Sequence, residues 1–278
     1  MPLPVVLLIL LAAFLHASWN ALLRNGADRL WSMTVMCLAV ALASLAATPW
    51  LPVPLPASWP YGVLSALLHV GYNLFLVRSY RSGELGQTYP IARGSSPLLV
   101  TLGAALLAGE TPGPQALLGI GLVSGGIIAL AFRGRRVALP GLRYALGTGC
   151  FIAAYSVVDG LGVRLSGNPM AYTAWMCAGW GLLMPAVFMA WRGPRALWQP
   201  PASAATFATA FAGGLVSLLA YGIVIQAMAL APMGAVSALR ETSVLFAAII
   251  GRLFLGETLS WPRVLACAAI AAGTVLIG

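Results

Sequence analysis

Polar positions in this chain are few and clumped. Apolar runs, each close to the ~20 residues a helix needs to cross the hydrocarbon core, alternate with short breaks marked by Pro, Gly, Arg or Trp. Ten runs are read, near residues 3–23, 30–48, 59–77, 86–108, 115–132, 144–163, 170–191, 204–228, 234–255 and 262–278. Each stays apolar well beyond the roughly 10 residues of a tilted membrane strand, so the pattern predicts helices and not a barrel. Every break is short, and Arg133 to Arg143 is a basic hinge, which leaves no room for a nucleotide-binding or catalytic domain outside the bilayer. The expected fold class is an all-α integral membrane protein with ten transmembrane helices.

Composition supports the same solvent. The chain is 60% hydrophobic and 8% charged with a mean hydropathy of +0.92, whereas a soluble domain carries about a quarter charged residues. The first run opens MPLP, without a positive side chain or a following small-x-small cleavage pattern, and so reads as a membrane helix and not a removed leader. Cys37, Cys150, Cys177 and Cys267 fall inside apolar runs and read as buried small hydrophobes. With both His residues far apart as well, no disulfide framework, metal site or cofactor is expected.

All fifteen basic residues are arginine. Eleven lie in or beside the loops after the odd-numbered runs, Arg164 alone falls on the opposite side, and Arg93, Arg240 and Arg252 sit within runs. Arginine-rich loops stay in the cytoplasm, so both termini are expected in the periplasm of a bacterial inner membrane; arginine in place of every lysine fits a GC-rich bacterial gene. The formal charge of +9 then reports orientation and contact with anionic lipid, and nucleic acid is not an expected partner. Trp31, Trp50, Trp59, Trp191, Trp198 and Trp261 near the run ends read as an interfacial belt. Gly121 and Gly125, four apart on the fifth run, suit close helix packing between halves or between the subunits of a homodimer.

The chain also repeats itself. YPIARGSSPLLVTLGAALLAGETPG from Tyr89 pairs with VSALRETSVLFAAIIGRLFLGETLS from Val236, so that Arg93 falls on Arg240 and one Gly-Glu-Thr on the other. His16 and Asn20 take the places of Tyr155 and Asp159, and Tyr72 roughly that of Tyr221. Halves at 1–136 and 137–278, of five runs each, must enter the bilayer in opposite senses, which predicts inverted repeats about an axis in the membrane plane.

These features, with the opening HASWN and the Gly-Glu-Thr turn before each closing helix, resemble the drug/metabolite transporter superfamily, and within it the EamA-type ten-helix carriers. The resemblance spans essentially the whole chain. It implies secondary transport, usually outward movement of amino acids, metabolites or cationic and aromatic toxicants, through a central cavity among helices 1, 3, 4, 6, 8 and 9. Cargo does not transfer with the scaffold.

Candidate chemistry centres on the buried arginines. A central membrane arginine costs between about 2.5 and 17 kcal/mol unless it meets a partner or water. Arg93 and Arg240 are expected to approach the midplane from opposite sides. Helical spacing groups Tyr89, Arg93 and Ser96; Ser237, Arg240 and Glu241; His16 and Asn20; and Tyr155 and Asp159, while the third run adds Tyr72 and Asn73 and the eighth adds Tyr221. These residues are the expected substrate contacts, with Glu241 and Asp159 as proton-coupling candidates. Glu241 reads equally as a fixed neutraliser of Arg240, and Asp159 as a solvated residue at its helix end. His69 is expected to be satisfied by its own backbone. Pro90 and Pro97 are expected to interrupt the fourth helix around Gly94, Ser95 and Ser96. Glu110 and Glu257 are expected to serve helix ends, and Arg252 to snorkel to the interface. No phosphate-binding loop or serine nucleophile elbow is present. The expected cargo is a small zwitterion or carboxylate with an apolar or aromatic part, probed by two guanidiniums. An organic-anion or phosphorylated-metabolite exchanger fits the same arginines, and a membrane-embedded lipid-phosphate enzyme would need both at one membrane face.

Overall fold

In the computed structural model, which describes residues 1–24, 28–82, 85–132, 139–198, 204–254 and 260–278, the chain is helical with short 3-10 turns and no strand among the described residues. The helices are α1 (Leu3–Arg24), α2 (Arg29–Ala47), α3 (Trp59–Ser82), α4 (Leu85–Ala108), α5 (Pro114–Ala129), α6 (Leu139–Leu165), α7 (Pro169–Arg192), the four-residue α8 (Arg195–Trp198), α9 (Ala204–Leu230), α10 (Met233–Arg240), α11 (Ser243–Phe254) and α12 (Trp261–Ile277). Seven are long and apolar enough to cross a bilayer. The apolar α5 and α12 are shorter, at 16 and 17 residues.

Two expectations about helix continuity are reversed. The fourth run is one unbroken helix although Pro90 and Pro97 lie inside it. Pro97 has no N–H to give the Arg93 carbonyl, and the Ser96 hydroxyl donates to that carbonyl instead at 3.1 Å. Ser95 likewise donates to the Ala92 carbonyl at 3.2 Å. The ninth run, free of proline, is the one that breaks, with a turn at Glu241 and Thr242 between α10 and α11. There the Glu241 and Thr242 amides tighten onto the carbonyls of Ala238 and Leu239, and the Thr242 hydroxyl takes the Leu239 carbonyl again at 2.7 Å. Side-chain competition for backbone groups and the tighter i to i+3 pairing close α10 one turn early.

The helices pack chiefly in the pairs α3 on α6, α4 on α6, α2 on α7, α1 on α9, α2 on α9 and α5 on α12. In the last pair a Cβ on Gly273 would stand 2.6 Å from the Gly119 carbonyl, and one on Gly126 3.1 Å from the Ala266 carbonyl, so glycine is what lets the two backbones touch. The expected packing pair, Gly121 and Gly125, has open space in front of both positions because it faces outward. The cysteine expectation is likewise half corrected: Cys37 and Cys177 are buried, but Cys150 is exposed and Cys267 intermediate. An apolar run has a lipid-facing side, and period alone does not say which residues take it. Trp50, Trp59, Trp191 and Trp261 are exposed near helix ends, whereas Trp31 is buried in the core against Phe207. The side chain of Trp198 lies outside the described residues.

Both ends of the bundle are tied by polar contacts. At one end Leu55 N–H donates to the Ser166 carbonyl at 3.0 Å. Arg164 pairs with Glu110 at 2.6 Å, and its guanidinium also donates to the Met228 and Ala231 carbonyls at the close of α9, each at 3.0 Å. Glu110 in turn accepts from the Met233 N–H that starts α10, at 2.8 Å, so this glutamate does serve a helix end. At the other end Asp28 caps α2 through the Leu30 and Trp31 amides and forms an ion pair with Arg192 at the close of α7. Glu257, the side chain of Arg252 and residues 133–138 of the hinge lie outside the described residues.

Candidate functional site

α1, α2, α3, α6, α7, α9 and α10 enclose a cavity with about 70 Å³ open to the centre of a water-sized sphere. That volume admits several waters, since one needs roughly 10–15 Å³ on this measure. Its wall includes His16, Tyr72, Asn73, Tyr155, Tyr221 and Arg240 from the expected set. Asn20, Tyr89, Arg93, Ser96, Ser237, Glu241 and Asp159 stand outside that wall.

Arg240 reaches the wall from the last turn of α10. Its Nη2 lies 3.2 Å from Glu241 Oε1, and the Nη1 of Arg93 on α4 lies 3.0 Å from the same oxygen. Instead of facing each other across open space, the two guanidiniums share one carboxylate. All three side chains are at most 3% exposed. One negative charge between two positive ones leaves this cluster a net cation. Arg240 Nε, Glu241 Oε2 and the neighbouring Ser237 hydroxyl are buried without partners. The Arg93 guanidinium also lies 5.3 Å from the Tyr89 ring centre, a cation–π distance.

Hydrogen bonds fix the tautomers of both histidines. Trp19 Nε1 can only donate, and it reaches His16 Nδ1 at 3.2 Å, so the neutral His16 ring carries its proton on Nε2, which is buried without a partner. The Asn20 amide is spent on the His16 carbonyl at 2.8 Å, inside its own helix. His69 is the reverse case. Its Nδ1 lies 2.9 Å from the Ser65 carbonyl, which can only accept, so the proton is on Nδ1 and Nε2 is left as an acceptor.

The expectation that His69 is held by its own backbone is met, yet His69 also lines the cavity. It stacks between Tyr155, 4.0 Å away between ring centres, and Trp180, 5.4 Å away. Tyr221 meets it edge-on. Asn73 donates from Nδ2 to Cys37 Sγ at 3.7 Å. The signal for His69 was available in its spacing, three and four residues before Tyr72 and Asn73. Trp19, Trp180, Met33 and Met36 complete the wall without any polar signature in their runs.

Asp159 is buried at 0% exposure, not solvated at a helix end. It accepts hydrogen bonds from the hydroxyls of Tyr172, at 3.0 Å, and of Tyr221, and Ser65 also reaches it. Among the described residues no arginine pairs with it. No group of metal-ligating residues occurs among the described residues either. The site thus has one cationic corner, an aromatic wall, and two buried N–H groups without partners, Arg240 Nε and His16 Nε2.

Comparison with known proteins bears on the chain's family and fold. The family model of the EamA-like transporter family matches residues 3–132 and again residues 139–278. No curated protein matches the chain. One similar solved structure, a crystal structure of a protein, covers 98% of this chain and 94% of its own, with a TM-score of 0.75 and 20% sequence identity; at that identity the likeness shows the fold.

Proposed function

We propose, from the premise that the chain belongs to the EamA-like transporter family of the drug/metabolite transporter superfamily, that it is a secondary carrier exporting a small metabolite with a carboxylate and an apolar or aromatic part. The family is one of transporters. Ten spans in two inverted halves, 1–136 and 137–278, would cross a bacterial inner membrane with both termini in the periplasm and the Asp28–Arg192 end in the cytoplasm. Helix pairing supports this reading: exchanging the halves turns α3 on α6 into α9 on α1, and α2 on α9 into α7 on α3, all of them observed contacts.

The observation that carries the proposal is Arg240, a cation in the wall of a buried, aromatic cavity whose Nε has no partner. A substrate carboxylate would take Arg240 in competition with Glu241, which stays on Arg93. His16 Nε2–H, Tyr72, Asn73, Tyr155 and Tyr221 would hold the remaining polar groups, with Tyr89, Ser96 and Ser237 supporting the arginines from behind. Alternating access would have the helices part at one end of the cavity and then at the other. A charge-assisted hydrogen bond contributes about 1.5–3 kcal/mol.

Purified protein is screened by thermal shift against amino acids, organic acids and quaternary amines. Carboxylates with an apolar side chain are expected to raise the unfolding midpoint. Arg240→Gln is expected to weaken that binding on the order of tenfold to a hundredfold and to slow uptake into proteoliposomes accordingly. Stabilisation by quaternary amines alone, or unchanged binding by Arg240→Gln, overturns the proposal.

A further inference from the structure

Glu241 and Asp159 are both buried carboxylates, but their surroundings assign them different work. Glu241 Oε1 is held by two guanidiniums, Arg93 at 3.0 Å and Arg240 at 3.2 Å. Asp159 has no such partner among the described residues. The titratable and charged groups facing it are Tyr172 and Cys177 from α7, Tyr221 from α9 and Tyr155 on its own helix. Ser65 and, behind it, His69 from α3 complete the surroundings. Four of these six are hydroxyls, with one thiol and one imidazole. Burial penalises the anion, three hydroxyl donors favour it, and among the described residues no guanidinium stands beside it to hold it ionised.

Two routes join Asp159 to the cavity. Tyr221 lines the wall and its hydroxyl donates to the carboxylate. Ser65 touches both Asp159 and His69 Nδ1, the latter at 3.2 Å, and His69 lines the wall as well. We infer that Asp159 is the proton-binding site of the carrier, and that Tyr221 reports its state to the substrate. With Asp159 ionised, the Tyr221 O–H is held by the carboxylate. When a proton from cavity water binds Asp159, the acid O–H donates to the Tyr221 oxygen, the hydrogen bond reverses, and the tyrosine proton is freed to point into the cavity at a bound carboxylate. No bond other than the O–H of the acid is made, and the hydroxide left in the water is neutralised by bulk buffer. Glu241 remains a fixed counter-ion. This inference rests on the carrier reading for its purpose, but the proton site is testable without a substrate.

Protein in nanodiscs is titrated between acid and alkaline buffer while the infrared C=O stretch of protonated carboxylic acids is followed. Wild type should show one buried-acid band that comes and goes with pH, Asp159→Asn should abolish it, and Glu241→Gln should keep it. Tyr221→Phe, with Asp159 intact, should shift the band's frequency, because one hydrogen bond to the acid is gone. If Asp159→Asn does not fold, the Tyr221→Phe shift decides. A band that survives Asp159→Asn, disappears in Glu241→Gln or ignores Tyr221→Phe overturns the inference. Absence of uptake of any amino acid or organic acid with the band intact would instead sink the carrier reading alone.

Discussion

Glycine at 119, 126 and 273 is fixed by what stands opposite it, and glycine at 121 and 125 is not. In Gly273→Val the new side chain meets the Gly119 carbonyl inside van der Waals distance, and α5 and α12 must separate, at a cost of about 1–3 kcal/mol or more. Gly121→Ala meets nothing and replaces a flexible helix residue, so it should be neutral or stabilise by up to about 1 kcal/mol. Thermal unfolding in detergent, monitored by circular dichroism, separates the two: the expected order is Gly121→Ala at or above wild type and Gly273→Val well below. The residue scale also marks where sequence reading stops. Spacing puts Gly121 and Gly125 on one stripe, but it does not say whether that stripe meets another helix or lipid, because both environments are apolar.

At the scale of elements, helix existence was legible and helix continuity was not. Apolar run length identifies where helices lie, since in lipid every backbone group must be satisfied within the segment. Continuity depends on how single backbone groups are satisfied: the Ser96 hydroxyl takes the Arg93 carbonyl that Pro97 leaves without a donor in α4, while threonine at 242 helps end α10. Proline alone is a poor guide when a hydroxyl stands one residue away. The start of α2 is a case that pH can test. Burial pushes the Asp28 carboxyl up, but the Arg192 hydrogen bond and charge, with the Trp31 and Leu30 amides, outweigh it and hold the group below its ordinary value. A lowered folded value means that the contribution to stability is complete above the unfolded value of about 4 and is lost as pH falls through the folded one. The difference in unfolding midpoint between wild type and Asp28→Asn, which keeps a capping oxygen, should therefore be largest near neutral pH and shrink in acid. A difference that does not change with pH would separate the Arg192 pair from stability.

At the scale of the whole molecule, the family model matches residues 3–132 and 139–278, and helices from both stretches line the cavity. Arg93 and Arg240 were visible as a matched pair of costly charges, and Tyr72, Asn73, Tyr155 and Tyr221 as polar faces on separate helices. Their convergence on Glu241 was not visible, because it depends on how the broken α10–α11 segment sits against α4. The aromatic wall was missed for a different reason: tryptophan and methionine in an apolar run look like any other core residue. That wall gives the protein a built-in optical reporter. Trp19 and Trp180 belong to the cavity lining, with imidazole rings against both, while Trp50, Trp59, Trp191 and Trp261 sit on the exterior. Whatever enters the cavity changes the surroundings of two indoles, so occupancy should register as a change in emission against a steady background. Trp180→Phe should remove much of that change and leave the background intact, and no dye or radiolabel is needed to see it.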